Sequence, residues 1–271
     1  MTAPDFAAKL QPILESFSGT IGFKAVRLED GFTLQYDADA VFPAASVVKV
    51  PLMLEALKQA EEGRLDLHAR LPMSGDERVG GSGVLFRLEA GAGLTLLDYV
   101  TLMIVVSDNT ATNIVLDAIG GRDAVNSRLR GWGLLRTTVV GKLMLPAERK
   151  NADQLAGKLA EITPSESVRL LEQLWRGELL ESAMRSLALE TMGAQQYTEI
   201  LARFLPDDVK TATKSGQIMG VRNDIGFVLN ERPYALALCS LGCSDLRYHV
   251  DNEAVLALGR VSRLVYDAMT A

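Results

Sequence analysis

The sequence predicts an α/β domain combined with an all-α domain: an antiparallel sheet is flanked by the N- and C-terminal helices, and a helical domain is inserted. Three observations lead to this fold class. Strand-like runs lie near both ends of the chain, and apolar residues at helical spacing fill its middle. At 271 residues, with 48% hydrophobic and 23% charged residues, the chain is long enough to bury a large core of ordinary globular composition.

The first predicted elements are one helix and two strands. Apolar residues at helical spacing over residues 5–17 predict an amphipathic helix. Residues 19–28 and 32–36 are typical of strands, with a turn between them. A loop over residues 37–45 then brings the chain to Ser46.

The middle of the chain is predicted to be helical. Helical patterns cover residues 46–62, 96–106, 111–119, 122–129, 167–175 and 181–192. Thr95 and Asp98 predict a capping box, and Thr163-Pro164 predicts a helix start in which Glu166 is a capping residue. Residues 64–93 are predicted to be rich in loops, and residues 137–162 carry no clear pattern.

The last third returns to strands and ends in a helix. Residues 209–218 are compatible with a strand, and residues 224–230 and 234–240 predict a hairpin. Residues 252–268 form an amphipathic closing helix.

This order of elements predicts the domain organisation. We expect residues 1–45 and 190–271 to form one discontinuous α/β domain and residues 46–189 to form the helical domain. The active site is expected between them. The chain shows no internal repeat.

Composition restricts the kinds of partner. A net charge of −6, a pI near 5.1 and the absence of a basic cluster argue against binding to nucleic acid or an anionic membrane. No apolar run is long enough to span a membrane, and the N-terminus lacks the basic and apolar regions of a signal peptide. We expect a monomer that acts on a small molecule. We expect it to be cytoplasmic if the sequence stands as given, or secreted or periplasmic if a signal was removed.

The cysteines and histidines bear on metal binding and redox chemistry. Cys239 and Cys243 are predicted to be free buried thiols, since a disulfide between them needs a tight turn. With His68 and His249 as the only histidines, the spacing does not favour a zinc site. We expect no metal and no cofactor.

Ser46 and Lys49 form a Ser-x-x-Lys motif that leads into a predicted helix. Residues three apart lie on one face of a helix, so the hydroxyl and the amine can meet at its start. A serine needs a base to become a good nucleophile, and a buried lysine that loses its charge can be that base. The alternative is an N-capping serine followed by a solvated lysine.

Two further motifs follow in order. Ser107-Asp108-Asn109 lies at a break between two predicted helices, and Lys214-Ser215-Gly216 lies in a late strand. With Ser46-Val47-Val48-Lys49, they resemble the three motifs of class A β-lactamases and penicillin-binding proteins, and the layout of the whole chain is similar to that family. The resemblance implies a β-lactamase/transpeptidase-like fold and a serine hydrolase that opens β-lactam amide bonds through an acyl-enzyme.

The resemblance also implies roles for the catalytic residues. Ser46 is the expected nucleophile, and Lys49 is its activating partner. Ser107 is expected to relay a proton toward the leaving nitrogen, with Lys214 beside it fixing the charge balance. Asp108 is expected to be structural.

Other residues are expected to bind the substrate. By resemblance, Asn109 binds the side-chain amide of the substrate and steadies Lys49. Ser215 and Gly216 let an extended substrate lie along the strand edge, because a glycine allows a close approach of the backbone. The backbone N–H groups of Ser46 and Gln217 are expected to form the oxyanion hole.

Arg222 has two interpretations. It is a candidate partner for the carboxylate of a β-lactam, helped by Lys214 and Ser215. The alternative is an arginine in a hairpin turn, exposed to solvent.

One region departs from the family. Class A β-lactamases position the hydrolytic water with a glutamate on an Ω-loop, followed four residues later by an asparagine. The matching residues 139–151 contain no such pair, since Glu148 and Asn151 are three apart. Glu148 is either a surface carboxylate or a base on a remodelled loop; without a base, deacylation is expected to be slow.

Three functions therefore stay open from the sequence. The first is β-lactam hydrolysis through an acyl-enzyme on Ser46. The second is peptidase or esterase activity on another carbonyl substrate. The third is a penicillin-binding or sensor protein that is acylated without turnover.

Overall fold

A computed structural model describes residues 3–91 and 93–271, apart from the side chain of residue 3. Its helices are α1 Ala3–Ser16, α2 Lys49–Glu61, α3 Leu96–Val105, α4 Asn109–Ala118, α5 Gly121–Gly131, α6 Ala152–Leu155, α7 Pro164–Arg176, α8 Ser182–Gly193 and α9 Glu253–Met269. Its strands are β1 Thr20–Arg27, β2 Thr33–Tyr36, β3 Phe42–Pro43, β4 Arg70–Pro72, β5 Gly93–Thr95, β6 Glu161–Ile162, β7 Lys210–Ile218, β8 Val221–Leu229 and β9 Tyr234–Leu241. A 3-10 turn over Ala45–Val48 precedes α2.

The predicted antiparallel sheet is present and joins the two ends of the chain. Its five strands lie in the order β2-β1-β9-β8-β7, and every neighbouring pair is antiparallel. The strand β7 lies at one edge, so half of its backbone groups have no partner strand. The 3-10 turn at Ala45–Val48 packs against this edge strand.

Each face of the sheet packs against a different set of helices. Because side chains alternate along a strand, Phe227 lies in the core shared with α2–α5 and α7, whereas Val228 lies in the core shared with α1 and α9. One apolar core therefore runs from the sheet into the helical part. The proposed boundaries at residues 45/46 and 189/190 remain a prediction.

The two segments without a clear helical or strand pattern in the sequence contain short helices and strands. Residues 64–93 contain β4, which pairs with β5, and residues 137–162 contain α6 and β6. The strand β6 pairs with β3 just before Ser46. Two- and three-residue strands carry too little periodicity to be predicted from sequence.

Helix starts largely match the prediction. Thr95 and Asp98 form a capping box at α3, and Thr163 caps α7 with Pro164 in its first turn. The Glu166 carboxylate has a further role that sequence reasoning missed. It accepts hydrogen bonds from the backbone N–H groups of residues 135–137 and from the Thr137 hydroxyl, and so anchors that distant segment.

Two further predictions can be compared with the structure. Cys239 and Cys243 are free and buried, which confirms the prediction of free thiols. Among the described residues, no helix combines the length and apolar character needed to cross a bilayer.

Candidate active site

Ser46 lies in the second position of the 3-10 turn, directly after a residue in a strained conformation. Ala45 has φ of +47°, which is uncommon for a residue with a side chain. The neighbouring Ala44 N–H donates to the Ala160 carbonyl at 2.7 Å. Within the described part of the chain, the Ser46 hydroxyl makes no hydrogen bond, so it is not committed to a capping role.

Lys49, the first residue of α2, is completely buried. Its Nζ lies 2.7 Å from the Ser107 carbonyl oxygen, 3.0 Å from Ser107 Oγ and 2.9 Å from Asn109 Oδ1. The amine of the first motif therefore lies inside the second motif. The interpretation of Lys49 as a solvated lysine is wrong.

The surroundings favour the neutral form of Lys49. Burial is the main cause that holds its pKa well below the ordinary value, and the charge of Lys214 lowers it further, against an opposing effect of Asp108. A neutral amine donates two hydrogen bonds and keeps one lone pair. The Ser107 carbonyl and Asn109 Oδ1 can take the two donors, which leaves the lone pair able to accept a proton.

The Ser107-Asp108-Asn109 motif forms the corner between α3 and α4. Ser107 has φ of +54°, and this conformation turns both its carbonyl and its hydroxyl toward Lys49. Asn109 also donates from Nδ2 to the Gly80 carbonyl at 3.0 Å, which orients its amide.

Asp108 holds this corner in place. One carboxylate oxygen accepts from the Ala111 N–H and caps α4, while the other accepts from the N–H groups of Val84 and Leu85 at 2.6 and 2.8 Å. The carboxylate therefore joins the corner to the 80–88 loop. These contacts support a structural role for Asp108.

Lys214 is completely buried in β7 and donates from Nζ to the Ser215 carbonyl at 2.7 Å. Burial lowers its pKa to about 7, although the charges of Asp224 and Glu199 act in the opposite direction. A group with this pKa changes its charge near neutrality.

The third motif brings the edge strand against the nucleophile. A Cβ at Gly216 would lie 2.8 Å from the Ser46 nitrogen and 2.9 Å from the Val47 nitrogen, so only glycine fits without movement. Gln217 is the next residue of β7 and pairs with Arg222 in β8. The backbone of the Lys214-Ser215-Gly216 motif and the N–H of Ser46 are thus close neighbours.

Arg222 is not in solvent, because only 1% of its surface is exposed. Its guanidinium donates to the carbonyls of Ile218, Val221 and Arg247 and lies 4.9 Å from the centre of the Tyr248 ring. Backbone carbonyls therefore hold the guanidinium of Arg222 in place. This corrects the interpretation of a solvent-exposed turn arginine.

The strand also determines which way Arg222 points. Asn223 follows it in β8 and donates from Nδ2 to the carbonyls of Pro43 and Ala44, just before the nucleophile. Consecutive side chains of a strand point to opposite faces, so Arg222 lies on the face away from Ser46. The structure pairs the backbone of Arg222 with that of Gln217, but its guanidinium bonds to backbone carbonyls and to neither Lys214 nor Ser215.

Sequence reasoning missed two asparagines that position the site. Asn223 holds the segment before Ser46 against β8, and Asn113 holds residue 143 against α4. A signal for Asn113 was available, because it lies four residues after Asn109 and therefore on the same face of the helix. Asn223 had no such signal, since its partners are about 180 residues away.

Residues 139–151 run past α4 beside the site. Within them, Glu148 is exposed, lies in a short 3-10 turn and has no hydrogen-bond partner among the described residues. Its exposure favours the interpretation as a surface carboxylate. The residue that α4 holds in this segment is Leu143, which Asn113 bonds at both its N–H and its carbonyl.

Known proteins resemble this chain over nearly its whole length. The profile of the Beta-lactamase enzyme family matches residues 5–269. β-Lactamase CARB-4 of Pseudomonas aeruginosa is 25% identical, over 94% of this chain and 88% of the relative. The crystal structure of a β-lactamase from Sphaerobacter thermophilus superposes with a TM-score of 0.88 at 28% identity, covering 100% of this chain and 98% of the other. A leucine-to-glutamate variant of PBP-A, in an acyl-enzyme complex with penicillin G, superposes with a TM-score of 0.86 at 27% identity, covering 99% and 97%.

Proposed function

This chain belongs to the β-lactamase enzyme family, in its class A branch, and on that premise we propose that it opens β-lactam amide bonds through an acyl-enzyme on Ser46. The observation that carries the proposal is the position of Lys49. Three residues after Ser46, its amine is completely buried between Ser107 and Asn109. Burial favours the neutral amine of Lys49, and a neutral amine can be the base that a serine nucleophile needs.

Acylation begins at Ser46. The neutral Lys49 amine accepts the Ser46 proton as Oγ forms a bond to the lactam carbonyl carbon. The negative charge then moves to the carbonyl oxygen. The backbone N–H groups of Ser46 and Gln217 stabilise this oxyanion, and the absence of a side chain at Gly216 lets the two segments approach closely enough.

The second part of acylation expels the lactam nitrogen. As the carbon–nitrogen bond breaks, the nitrogen takes a proton from the Ser107 hydroxyl, which recovers one from Lys49 at 3.0 Å. Lys214 contributes positive charge when it is protonated. The product of this step is an ester of Ser46 with the ring opened.

The remaining groups orient the substrate. Asn109 offers its amide to the side-chain amide of the substrate, and Ser215 and Gly216 offer the free edge of β7. Lys214 and Ser215 are the groups on this strand that attract the substrate carboxylate. Arg222 supports the turn between β7 and β8 rather than binding that carboxylate directly.

The site is built from one chain, and we expect a monomer. The nucleophile, the base, the proton relay and the strand edge all come from the same polypeptide. Light scattering in solution checks this expectation. The predicted location in the cell remains an expectation.

The proposal is tested by intact-protein mass spectrometry after addition of a penicillin. The wild type is expected to gain the mass of the drug, and Ser46→Ala is expected to stay unmodified. If the wild type also stays unmodified and the drug is not consumed, the proposal is wrong. Ester and peptide substrates then become the candidates to assay with the same pair of proteins.

A further inference from the structure

The Glu166 carboxylate fills a nest of backbone N–H groups at residues 135–137. Its Oε1 accepts from the N–H groups of Leu135 and Arg136 at 2.8 and 3.0 Å. Its Oε2 accepts from both the N–H and the hydroxyl of Thr137 at 2.7 Å. Consecutive N–H groups that point at one carboxylate form an anion site, and such charge-assisted hydrogen bonds are roughly twice as strong as neutral ones. The carboxylate therefore fixes residues 135–137 to the start of α7.

The two segments that this carboxylate joins also contact the chain that leads to the nucleophile. The Arg136 guanidinium donates to the Asp39 carbonyl at 2.7 Å. On the α7 side of the nest, the Ser165 N–H donates to the Ala38 carbonyl at 2.8 Å. Both segments therefore hold the loop before β3.

A second connection runs from the nest through β6 and β3. Thr138, the residue after the nest, exchanges backbone hydrogen bonds with Glu161 of β6 at 2.9 and 3.2 Å. Glu161 pairs with Pro43 of β3, and the Ala44 N–H donates to the Ala160 carbonyl at 2.7 Å. The anchored segment, β6 and β3 are thus joined side by side by backbone hydrogen bonds, and β3 ends just before the nucleophile.

This connection ends at a residue whose backbone needs support. Ala45 has φ of +47°, and such a conformation persists only where the surrounding structure over-determines it. The neighbouring Ala44 is held from two sides, because Asn223 donates to its carbonyl and the Ala160 carbonyl accepts from its N–H. Loss of either contact is expected to let Ala45 relax and to displace Ser46.

We propose that Glu166 is a positioning residue for the reaction at Ser46. By fixing residues 135–138, its carboxylate keeps β6 and β3 in place and so holds the nucleophile where it can attack. The inference rests on the proposed function, because it concerns the rate at which Ser46 is acylated. The described hydrogen bonds of the carboxylate go to residues 135–137, and the groups expected to bind the substrate lie on α4 and β7. Glu166 therefore acts on the limiting rate of acylation and not on the affinity for substrate.

The first test follows the penicillin adduct of Glu166→Ala by time-resolved mass spectrometry at several drug concentrations. The limiting acylation rate constant is expected to fall by about 10- to 10²-fold, because a small misplacement of a reacting group has an effect of this size. The drug concentration that gives half of the limiting rate is expected to stay unchanged. Glu172→Ala is the matched control, since Glu172 lies on the same helix and pairs with Arg176. A wild-type rate constant in Glu166→Ala overturns the inference; if the wild type forms no adduct, the proposed function is what fails.

Chemical rescue distinguishes positioning from a general loss of stability. Glu166→Ala removes Cγ, Cδ and both carboxylate oxygens, which correspond to the heavy atoms of acetate. Acetate is expected to occupy the vacated nest and to raise the acylation rate constant of Glu166→Ala toward that of the wild type. Sodium chloride at the same ionic strength is expected to have no such effect, and acetate is expected to leave Glu172→Ala unchanged. An effect of acetate on Glu166→Ala no greater than that of chloride overturns the inference.

Glu166→Gln provides the test if Glu166→Ala does not fold. Glutamine has nearly the same shape as glutamate, but its amide nitrogen is a donor and cannot accept from the N–H groups of the nest. Since one acceptor oxygen remains, we expect native circular dichroism and an acylation rate constant below that of the wild type. Equal rate constants for Glu166→Gln and the wild type overturn the inference.

Discussion

The Nζ of Lys49 and the Oδ1 of Asn109 lie 2.9 Å apart and join the first residue of α2 to the first residue of α4. The same amide donates from Nδ2 to the Gly80 carbonyl, so Asn109 cannot rotate without losing one of the two bonds. The contact removes the side-chain freedom of a long lysine before substrate arrives. It thereby fixes the base near the serine that precedes it by three residues.

Replacing Lys49 tests its role as the base. Lys49→Met keeps a long side chain but cannot accept a proton. We expect acylation of Ser46 to slow by about 10²–10⁴-fold, the usual contribution of a positioned base. Stopped-flow measurement of penicillin consumption under single-turnover conditions gives this rate. Lys58→Met is the matched control, because Lys58 lies on the same helix in a partly buried ion pair with Glu61; an equal loss in both variants would contradict the assignment.

The charge of Lys214 predicts the pH dependence. Because burial lowers its pKa to about 7, Lys214 is protonated below that pH and neutral above it. A carboxylate-bearing β-lactam is attracted only by the protonated form, so kcat/KM is expected to fall as the pH rises above about 7. Lys214→Arg keeps its charge and is expected to lose this decline. A profile with the same decline in both proteins assigns the titration to another group.

Asp224 is expected to influence the pH at which kcat/KM declines. Burial raises the pKa of Asp224 itself to about 7, and its ionised form raises the pKa of Lys214. Asp224→Asn removes this attraction for the protonated amine. The pKa of Lys214 should fall, and the decline in kcat/KM should move to lower pH. The control is a pH profile of Asp76→Asn, which removes an exposed carboxylate from the 3-10 turn at residues 75–77. If the pH midpoint of the decline in kcat/KM is unchanged in Asp224→Asn, Asp224 does not affect the pKa of Lys214.

Gly216 is expected to tolerate no side chain. In Gly216→Ala, the new Cβ would lie 2.8 Å from the Ser46 nitrogen, so the strand or the nucleophile must shift. We expect at least a tenfold loss in the acylation rate, since 1.36 kcal/mol of lost transition-state stabilisation is a factor of ten. Gly131→Ala is the control, because a Cβ there meets no atom. Normal acylation by Gly216→Ala would refute the close approach.

Asn223 is expected to act by positioning the nucleophile. Asn223→Ala leaves the half-buried Pro43 and buried Ala44 carbonyls without their side-chain donor, which costs about 1–3 kcal/mol of folding free energy. Because Ser46 follows these residues, kcat for penicillin should fall more than KM changes. Asn252→Ala loses a cap of α9 far from the site and should be destabilised without a change in kcat. Urea unfolding and steady-state kinetics on both variants distinguish the two effects.

The sequence by itself determined the elements and the chemistry of the motifs. The longer helices and the strands of the main sheet follow from apolar periodicity, which is local, and the caps at Thr95 and Thr163 follow from short patterns. The identity of Ser46 as a nucleophile followed by a lysine is also local, because three residues suffice to place both on one face of a turn. Such features can be predicted without knowledge of distant contacts.

Only the tertiary structure decided the state and direction of the site residues. Lys49 and Lys214 are amines with lowered pKa because burial arises from segments far apart in the chain. The direction of the Arg222 side chain depends on which face of β8 packs against the segment before Ser46. The sequence alone does not determine that face. Glu166 and Asn113 anchor segments that no local pattern links to them. Side-chain chemistry is local, whereas burial, charge and direction depend on the packing of the whole chain.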